Sequence, residues 1–480
     1  MAITTDNNGI DAAPRKQTLS SNYVDFTSSD TEGWAQQYLP DLMEQEAEVY
    51  GKRTIAGFLA QVGAEEPSAS DRVVWSEQGR LHLAYTATYN DNNTDYTIVN
   101  DIDGNAVGAD HGIRVGDMVI MSVAGATAKG YVSAIDPDDD NDDQIRVIAY
   151  GAANMTTALG STATTAGAVR ILVIGSEFEK GTDGRSAANA PKFKSHSNKH
   201  IIMKDFYEVS GSDAAQVGWV EISGEEGQSG YLWYLKAAGD TRARFSDYLE
   251  MTMLEAEKAV AGAGAIGGTD QGTSDGTEGL FAAIESRGHQ SSGITGVNAA
   301  TDLAEFDQIL ATFDQNGAIE ENMLFVDRGT SLAIDDMLAS MNSYGAGGTS
   351  YGVFDNQEDM ALNLGFSGFR RGSYDFYKSD FRYLNDKGTR GALNDTVSNI
   401  RGVVIPAGVS SVYDEQLGKN LKRPFLHVRY RQSETESRKY KTWVTGSVGA
   451  MTSGKDVMEV HYLSERCLVV QGANNFMLLN

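Results

Sequence analysis

Cysteine is all but missing from this chain of 480 residues, in which Cys467 stands alone. A single thiol excludes an internal disulfide framework and fits a reducing compartment. Its place in the apolar run Cys467-Leu468-Val469-Val470 reads as core, because buried thiols behave as small hydrophobes. Long apolar runs are missing as well. No segment approaches the ~18 apolar residues that a membrane span needs, and the opening MAITTDNNGIDAAPRK lacks the basic-then-apolar layout of a secretory signal. The expectation is synthesis in the cytoplasm, no export and no membrane partner. Basic residues are the third shortage: 39 Lys and Arg face 66 Asp and Glu, for a net charge of −27. That balance excludes a broad nucleic-acid-binding surface, since neutralising phosphates takes clustered cations. Histidines are too scattered for zinc-ligand spacing.

What is present is a folded composition, 41% hydrophobic and 22% charged, in a chain long enough for two to four compact units. The longest helical stretch runs from Ser229 to Val260. Tyr231, Leu235, Ala238, Phe245, Leu249, Met253, Ala256 and Val260 recur at helical steps, one apolar stripe on a rod of roughly 45 Å. Gly239 followed by Asp240 leaves open a division into two shorter helices.

Residues 1–31 are polar and without periodicity, an arm. Residues 32–71 begin with helical spacing from Trp34 to Leu59. Strand character starts at Arg72-Val73-Val74-Trp75 and Leu81-His82-Leu83-Ala84-Tyr85. Between about residues 91 and 175, short strands and turns alternate in the rhythm of a small barrel, with candidates at Ile113–Met121, Lys129–Ile135, Gln144–Tyr150 and Val169–Ile174. From Asp91 to Asp143 there are twelve Asp, no Glu and two cations, Arg114 and Lys129. This unit reads as an insertion between the strand near Leu81 and a returning strand, Lys199–Met203. Later come a short helix, Glu278–Arg287, then helix Leu303–Phe313, strand Met323–Val326 and helix Thr330–Met341, a strand-helix unit that needs a parallel partner. Phe369–Tyr383 and Gly402–Ile405 are strand-like, as are Phe425–Val444 and Val457–Val470.

Three strings imitate catalytic motifs. Gly262-Ala263-Gly264-Ala265-Ile266-Gly267 matches a dinucleotide fingerprint but follows a helix instead of a strand, so it reads as a helix terminus. Gly449-Ala450-Met451-Thr452-Ser453-Gly454-Lys455-Asp456 is one residue from a phosphate loop, yet Asp456 replaces the hydroxyl that would hold magnesium, so it reads as a turn. Gly348-Thr349-Ser350-Tyr351-Gly352 spells a nucleophile elbow, with His427 and His461 as bases in a hydrolase reading, but no hydrophobic strand precedes Ser350. A loop is the better reading, and no catalytic or cofactor-binding residue is assigned. For metal, Asp136, Asp138, Asp140 and Asp142 alternate like the first ligands of a calcium loop, but the required Gly and distal Glu are replaced by Asn141 and Val147. From Leu417 to Val444 eight cations stand against Glu434 and Glu436, a local excess of six that is expected to meet acidic surface on a neighbouring copy.

The order of parts resembles the major capsid proteins of tailed bacteriophages, whose shell fold is shared by herpesvirus capsid floors. The run Thr277-Glu278-Gly279-Leu280-Phe281 looks most like capsid proteins of crAss-like phages. The resemblance implies an α+β capsid fold: an arm at 1–31, a helical segment at 32–71, an extended loop over 72–210 that carries the barrel, and a peripheral domain over 211–300 with the spine helix 229–260. An axial domain over 301–404 and a carboxyl-terminal β segment over 405–480 complete it. It further implies hexamers and pentamers tiling an icosahedral shell around double-stranded DNA, portal and decoration proteins as partners, residence in the virion and no catalysis. A covalent crosslinking Lys and Asn pair is not identifiable. The rivals are a non-viral shell of the encapsulin type, a surface-layer subunit, disfavoured by the missing export signal, and the hydrolase built on Ser350.

Overall fold

The computed structural model of the chain describes residues 59, 64–90, 94–137, 143–160, 168–185, 189, 193–212, 232–259, 276–291, 299–317, 319–343, 368–394, 400–407, 409–414, 419–447 and 452–480. The arm 1–31 lies outside them, as does all of the helical segment before Leu59. In chain order the first strands are β1 (Ala64–Ser68), β2 (Arg72–Gln78), β3 (Ala84–Tyr89), β4 (Asp95–Asp101), β5 (Asp117–Val123), β6 (Ala126–Ile135), β7 (Gln144–Ala149), β8 (Val169–Ser176), β9 (Phe193–Lys199) and β10 (Ile201–Ser210). Then follow β11 (His289–Ser291), β12 (Glu321–Val326), β13 (Gly368–Arg371), β14 (Tyr374–Asp380), β15 (Gly402–Pro406), β16 (Val409–Asp414), β17 (Lys419–Pro424), β18 (Leu426–Arg431), β19 (Lys441–Gly446), β20 (Val457–Val470) and β21 (Met477–Leu479). The helices are α1 (Met155–Leu159), α2 (Leu232–Glu255), α3 (Leu280–Arg287), α4 (Ala299–Asn316), α5 (Arg328–Ser343), α6 (Arg382–Asn385) and α7 (Gly391–Asn394).

The chain divides into two compact units, Ser76–His196 and the combination of Met1–Trp75 with Ser197–Asn480. The smaller unit is a closed barrel in the order β3-β4-β7-β6-β5-β8. Closure leaves no free sheet edge. Strand alternation fills it: in β5, Asp117, Val119, Met121 and Val123 point inward and are buried, while the residues between them are only half-buried. Tyr96, Ile98, Ile145 and Val147 meet them, and α1 plugs the barrel with Met155 and Leu159. Asn154 caps α1 by accepting the Thr157 N–H. Gly130 must lack a side chain, since a Cβ there would lie 2.4 Å from Val147 Cγ1.

The barrel is larger than the four candidate strands of the sequence. It begins at Ala84, and β3 and β4 belong to it. In the sequence the start of β3 reads as a strand leading to the insertion, and β4 is obscured by its Thr, Asn and Asp content. Two of the Asp residues are structural: Asp95 is fully buried and receives Arg146 Nε and Nη2 at 2.7 and 2.9 Å, while buried Asp117 accepts the Arg114 N–H at 2.8 Å and pairs with Arg185.

In the larger unit, one sheet has the order β1-β18-β20-β10, with β19 also on β20. β10 and β20 are antiparallel over ten residue pairs, Ile201↔Arg466 to Ser210↔Val457. Helix α2 packs on this pair through Phe245 and Leu249, which meet Met203, Val460 and Tyr462. It runs unbroken through Gly239, whose exposed position tolerates the missing side chain. Its described span of 24 residues corresponds to about 36 Å, shorter than the expected rod. The far end is the reason: after Glu255 the Ala256 carbonyl accepts the Gly279 N–H at 2.7 Å, so the chain leaves the helix before Val260. Residues 229–231 lie outside the described span.

The second sheet has the order β11-β21-β15-β12-β14-β13. The parallel partner that β12 required is β14, in register from Glu321↔Asp375 to Val326↔Asp380. Helices α4 and α5 cover the sheet through Phe306, Ile309, Phe313, Ile334 and Met337. One core joins both sheets, combining Met253 and Leu254 of α2, Leu280 and Phe281 of α3, Val403 and Ile405 of β15, and Leu468 and Val470 of β20. The chain passes directly from one sheet to the other at Gly472, whose φ of +60° makes the turn between β20 and β21.

Asn198 fastens this core. Its side chain is buried, with Nδ2 donating to the Leu468 and Glu278 carbonyls at 2.7 and 3.0 Å, and Oδ1 accepting the Glu278 N–H at 2.9 Å and the Thr277 hydroxyl at 3.2 Å. Asn198→Ala leaves those buried groups without partners. We expect a loss of about 2–4 kcal/mol in urea unfolding; a change below about 0.5 kcal/mol would show that the clip is incidental.

Candidate functional site

Of the residues that would build a hydrolase, only the two histidines are described. Ser350 and its loop lie outside the described residues. His427 sits in β18, wholly buried, opposite Val469, with Nδ1 3.3 Å from the Pro424 carbonyl. A ring enclosed in a sheet core is shut off from solvent and substrate, which disfavours a role as general base. His461 lies eight residues earlier on β20 than Val469, about 27 Å away at strand rise. Its Nε2 is already engaged, 2.7 Å from Thr445 Oγ1 and 3.1 Å from Glu459 Oε2.

The string that imitates a phosphate loop joins antiparallel strands β19 and β20, not a strand and a helix. Lys455 there pairs with Glu208 at 2.8 Å and Glu459 at 2.9 Å, both carboxylates holding its ammonium above the usual lysine range, and Ser447 donates to Asp456 at 2.9 Å. Its described part, residues 452–456, is held by these ion pairs and this hydrogen bond. The string Gly262–Gly267 lies outside the described residues. Of the calcium candidates only Asp136 is described, at φ +49° with its N–H bonded to the Gln144 carbonyl at 2.9 Å; Asp138, Asp140 and Asp142 are not. Among the described residues no three His, Cys, Asp or Glu side chains converge as a metal site.

Five of the eight cations of the basic segment find acids within this chain, whereas the expectation looked to a neighbouring copy for them. Arg429 pairs with Glu66 at 2.8 Å and Lys439 pairs with Glu65, both on β1, which runs parallel to β18 from Ala64↔His427 to Ser68↔Arg431. Arg431 reaches Asp71 at 3.2 Å and Glu465 at 3.7 Å; Arg438 also pairs with Glu465, and Lys441 with Glu436. Two of these five cations, Arg429 and Lys439, thus clamp the edge strand β1 onto the sheet, while Arg431 and Arg438 enclose Glu465 of β20 and Lys441 pairs beside β19. Of Lys419, Lys422 and Arg423, the side chains lie outside the description.

A feature missed in the sequence lies on the face of β10, β20 and β19 that bears His461. Phe206, His461 and Trp443 stack in a row across the three strands, with centroids 5.8 and 5.2 Å apart. Phe206 and Ile202 remain more than half exposed there. Strand alternation carried the signal, but it could not be read without the register that aligns residues 206, 461 and 443.

No protein-family model matches the sequence, and no curated protein matches it either. Among solved structures, the chain is similar to one from Gordonia phage Cozz, at 9% identity and a TM-score of 0.41 over 97% of this chain and 98% of that one. It is similar to a chain in the capsid structure of the cyanophage P-SCSP1u, at 9% identity and 0.38 over 97% and 98%. A third, from the capsid of a native GTA particle, gives 8% identity and 0.39 over 95% and 98%. At that level of similarity, function has to be read from this chain's own residues.

Two measurements check the site's electrostatics and packing. Glu465 is almost fully buried between two guanidinium groups, so Glu465→Gln should cost about 2 kcal/mol in chemical unfolding, whereas Glu436→Gln on the exposed surface should leave the midpoint unchanged. Equal effects would contradict the assignment. Burial pushes the Cys467 thiol up from 9.0 to about 12. Its stabilising contribution is therefore whole below pH 9.0 and is lost as pH rises toward about 12. At pH 8 the native thiol should react with a disulfide reagent at least a hundredfold more slowly than in denaturant; comparable rates would show that Cys467 is open.

Proposed function

We propose that this chain is the shell-forming major capsid protein of a tailed phage, assembling as hexamers and pentamers into an icosahedral wall around double-stranded DNA. The observation that carries this reading is a combination within the chain. The 24-residue helix α2 packs on the long pair β10 and β20, while a separate two-stranded sheet, β2 with β9, leads the chain out to an inserted closed barrel and back. Ligand sites gather a few unspent polar groups in a concavity, whereas the arginines beside a shallow apolar depression at α5 and β13 are already paired, Arg370 with Asp375 and Arg371 with Asp307.

In this reading the arm 1–31 and the extended loop 72–210 reach neighbouring subunits, residues 301–404 gather near the capsomer centre, and residues 405–480 return to both sheets. Many modest interfaces per copy make the wall stable through multivalency. The net charge of −27 suits the role, because a negative wall does not adhere to packaged DNA. The partners are further copies, a portal and decoration proteins, the product resides in the virion after synthesis in the host cytoplasm, and the chain performs no catalysis. An encapsulin-type compartment would share the assembly and differ in cargo.

Sedimentation velocity of the purified chain tests the reading. We expect monomers or capsomers to convert to particles of uniform, very high sedimentation coefficient as concentration rises, without esterase activity that is lost in Ser350→Ala. A chain that stays monomeric at every concentration, or one with Ser350-dependent activity, overturns it.

A further inference from the structure

The barrel carries apolar residues on its outside as well as its inside, and they are adjacent. The strand register places Leu172 of β8 opposite Ile120 of β5, Ile120 opposite Lys129 of β6, and Lys129 against Tyr150, which follows β7 and donates its N–H to the Lys129 carbonyl at 3.2 Å. One step along, Met118 of β5 faces Tyr131 of β6, and Tyr131 faces Ile148 of β7, with Ile174 at the bulge of β8. All of these point away from a core that is already filled. Leu172, Ile174, Ile148 and Tyr150 are 41, 48, 51 and 53% exposed. Scattered apolar residues on a surface need no explanation, but two neighbouring rows across four strands form a patch, and its Tyr, Met and Arg content is that of interfaces. A closed barrel offers no edge for strand addition, so the patch can be covered only face-on.

Its charges indicate what covers it. Arg170, exposed in the next row opposite Ser122, and Lys129 make no ion pair among the described residues. In a chain with 66 acidic residues, that leaves two cations in an apolar setting waiting for carboxylates. Among the described residues the patch holds one anion, Glu177, which already accepts the Tyr150 hydroxyl, so patch against patch leaves the two cations uncompensated. Another copy of this same chain, by contrast, presents abundant acidic surface. We propose that this outer barrel face is a copy-to-copy interface of heterologous type, in which β5, β6, β7 and β8 of one barrel dock on an acidic surface of the adjacent copy. Each copy then carries both halves of the contact, the condition for a ring or closed shell rather than a pair. The inference rests on the shell reading above and adds the surface that the inserted unit uses.

Leu172→Cys provides the test, since Cys467 is buried and the new thiol would be the accessible one. In assembled particles it should react with a maleimide at least tenfold more slowly than in unassembled protein. The charge-reversed variant Arg170→Glu with Lys129→Glu should lower particle yield at least tenfold at low salt while leaving the thermal unfolding of the unassembled protein unchanged. Particles in which Leu172→Cys labels at the unassembled rate, or a charge-reversed variant that assembles at the normal yield, overturn the interface and leave the shell reading standing. A wild-type chain that never assembles overturns both.

Discussion

Strand β20 is the constraint on which the larger unit depends. Its fourteen residues pair with β10 along one edge and with β19 and then β18 along the other. Its amino-terminal half gives α2 a floor at Val460 and Tyr462, and its carboxyl-terminal half, buried at nearly every position, enters the core shared with the second sheet through Leu468 and Val470. Its last four residues, Cys467-Leu468-Val469-Val470, are an apolar run buried on both faces, preceded by buried Ser464, Glu465 and Arg466, whose polar groups find partners on the segment before β19. The lone cysteine is therefore a packing residue, enclosed beside Trp75 and Val469. The six residues that separate β20 from β21 then oblige the two sheets to share a core, because so short a connection cannot span two separate ones.

Charge in this protein is organised at two levels. Most of the conspicuous cations near the carboxyl terminus serve the fold, holding β1 to β18 and enclosing Glu465. In the barrel, the buried pairs Asp95–Arg146 and Asp117–Arg185 brace the wall. Breaking such a pair is costly because it strands a charge away from water, whereas the pair itself adds geometric definition more than net stability. The acidic excess, a net charge of −27, makes copies of the chain repel one another at a distance.

Much of this was legible in the sequence, and the exceptions have physical reasons. Periodicity alone located α2, the β12–α5 unit and the strands Gln144–Ala149 and Val457–Val470, since each buries one continuous face or two. It failed for β4, where Asp95, Thr97 and Asn100 look like a loop until Asp95 is seen to be paired inside the wall. The end of α2 was set by Gly279, far along the chain, and so was invisible to a local pattern. The intrachain partners of Arg429 and Lys439 were hidden for the same reason: Glu66 and Glu65 lie more than 350 residues away. Local chemistry shows that cations need acids but not which acids. The candidate site divides similarly. The motif strings could be judged from their flanks, whereas the apolar rows outside the barrel and the Phe206–His461–Trp443 stack exist only once register is known.

The central claim is that this chain acts by tiling. Cryo-electron microscopy of particles formed by the purified protein tests it most directly. A closed shell with five- and six-fold capsomers, in which α2 and β20 lie in the wall and every copy meets several neighbours, is the predicted result. Particles without rotational symmetry, or a uniform population of isolated chains under conditions that concentrate them, would contradict the account.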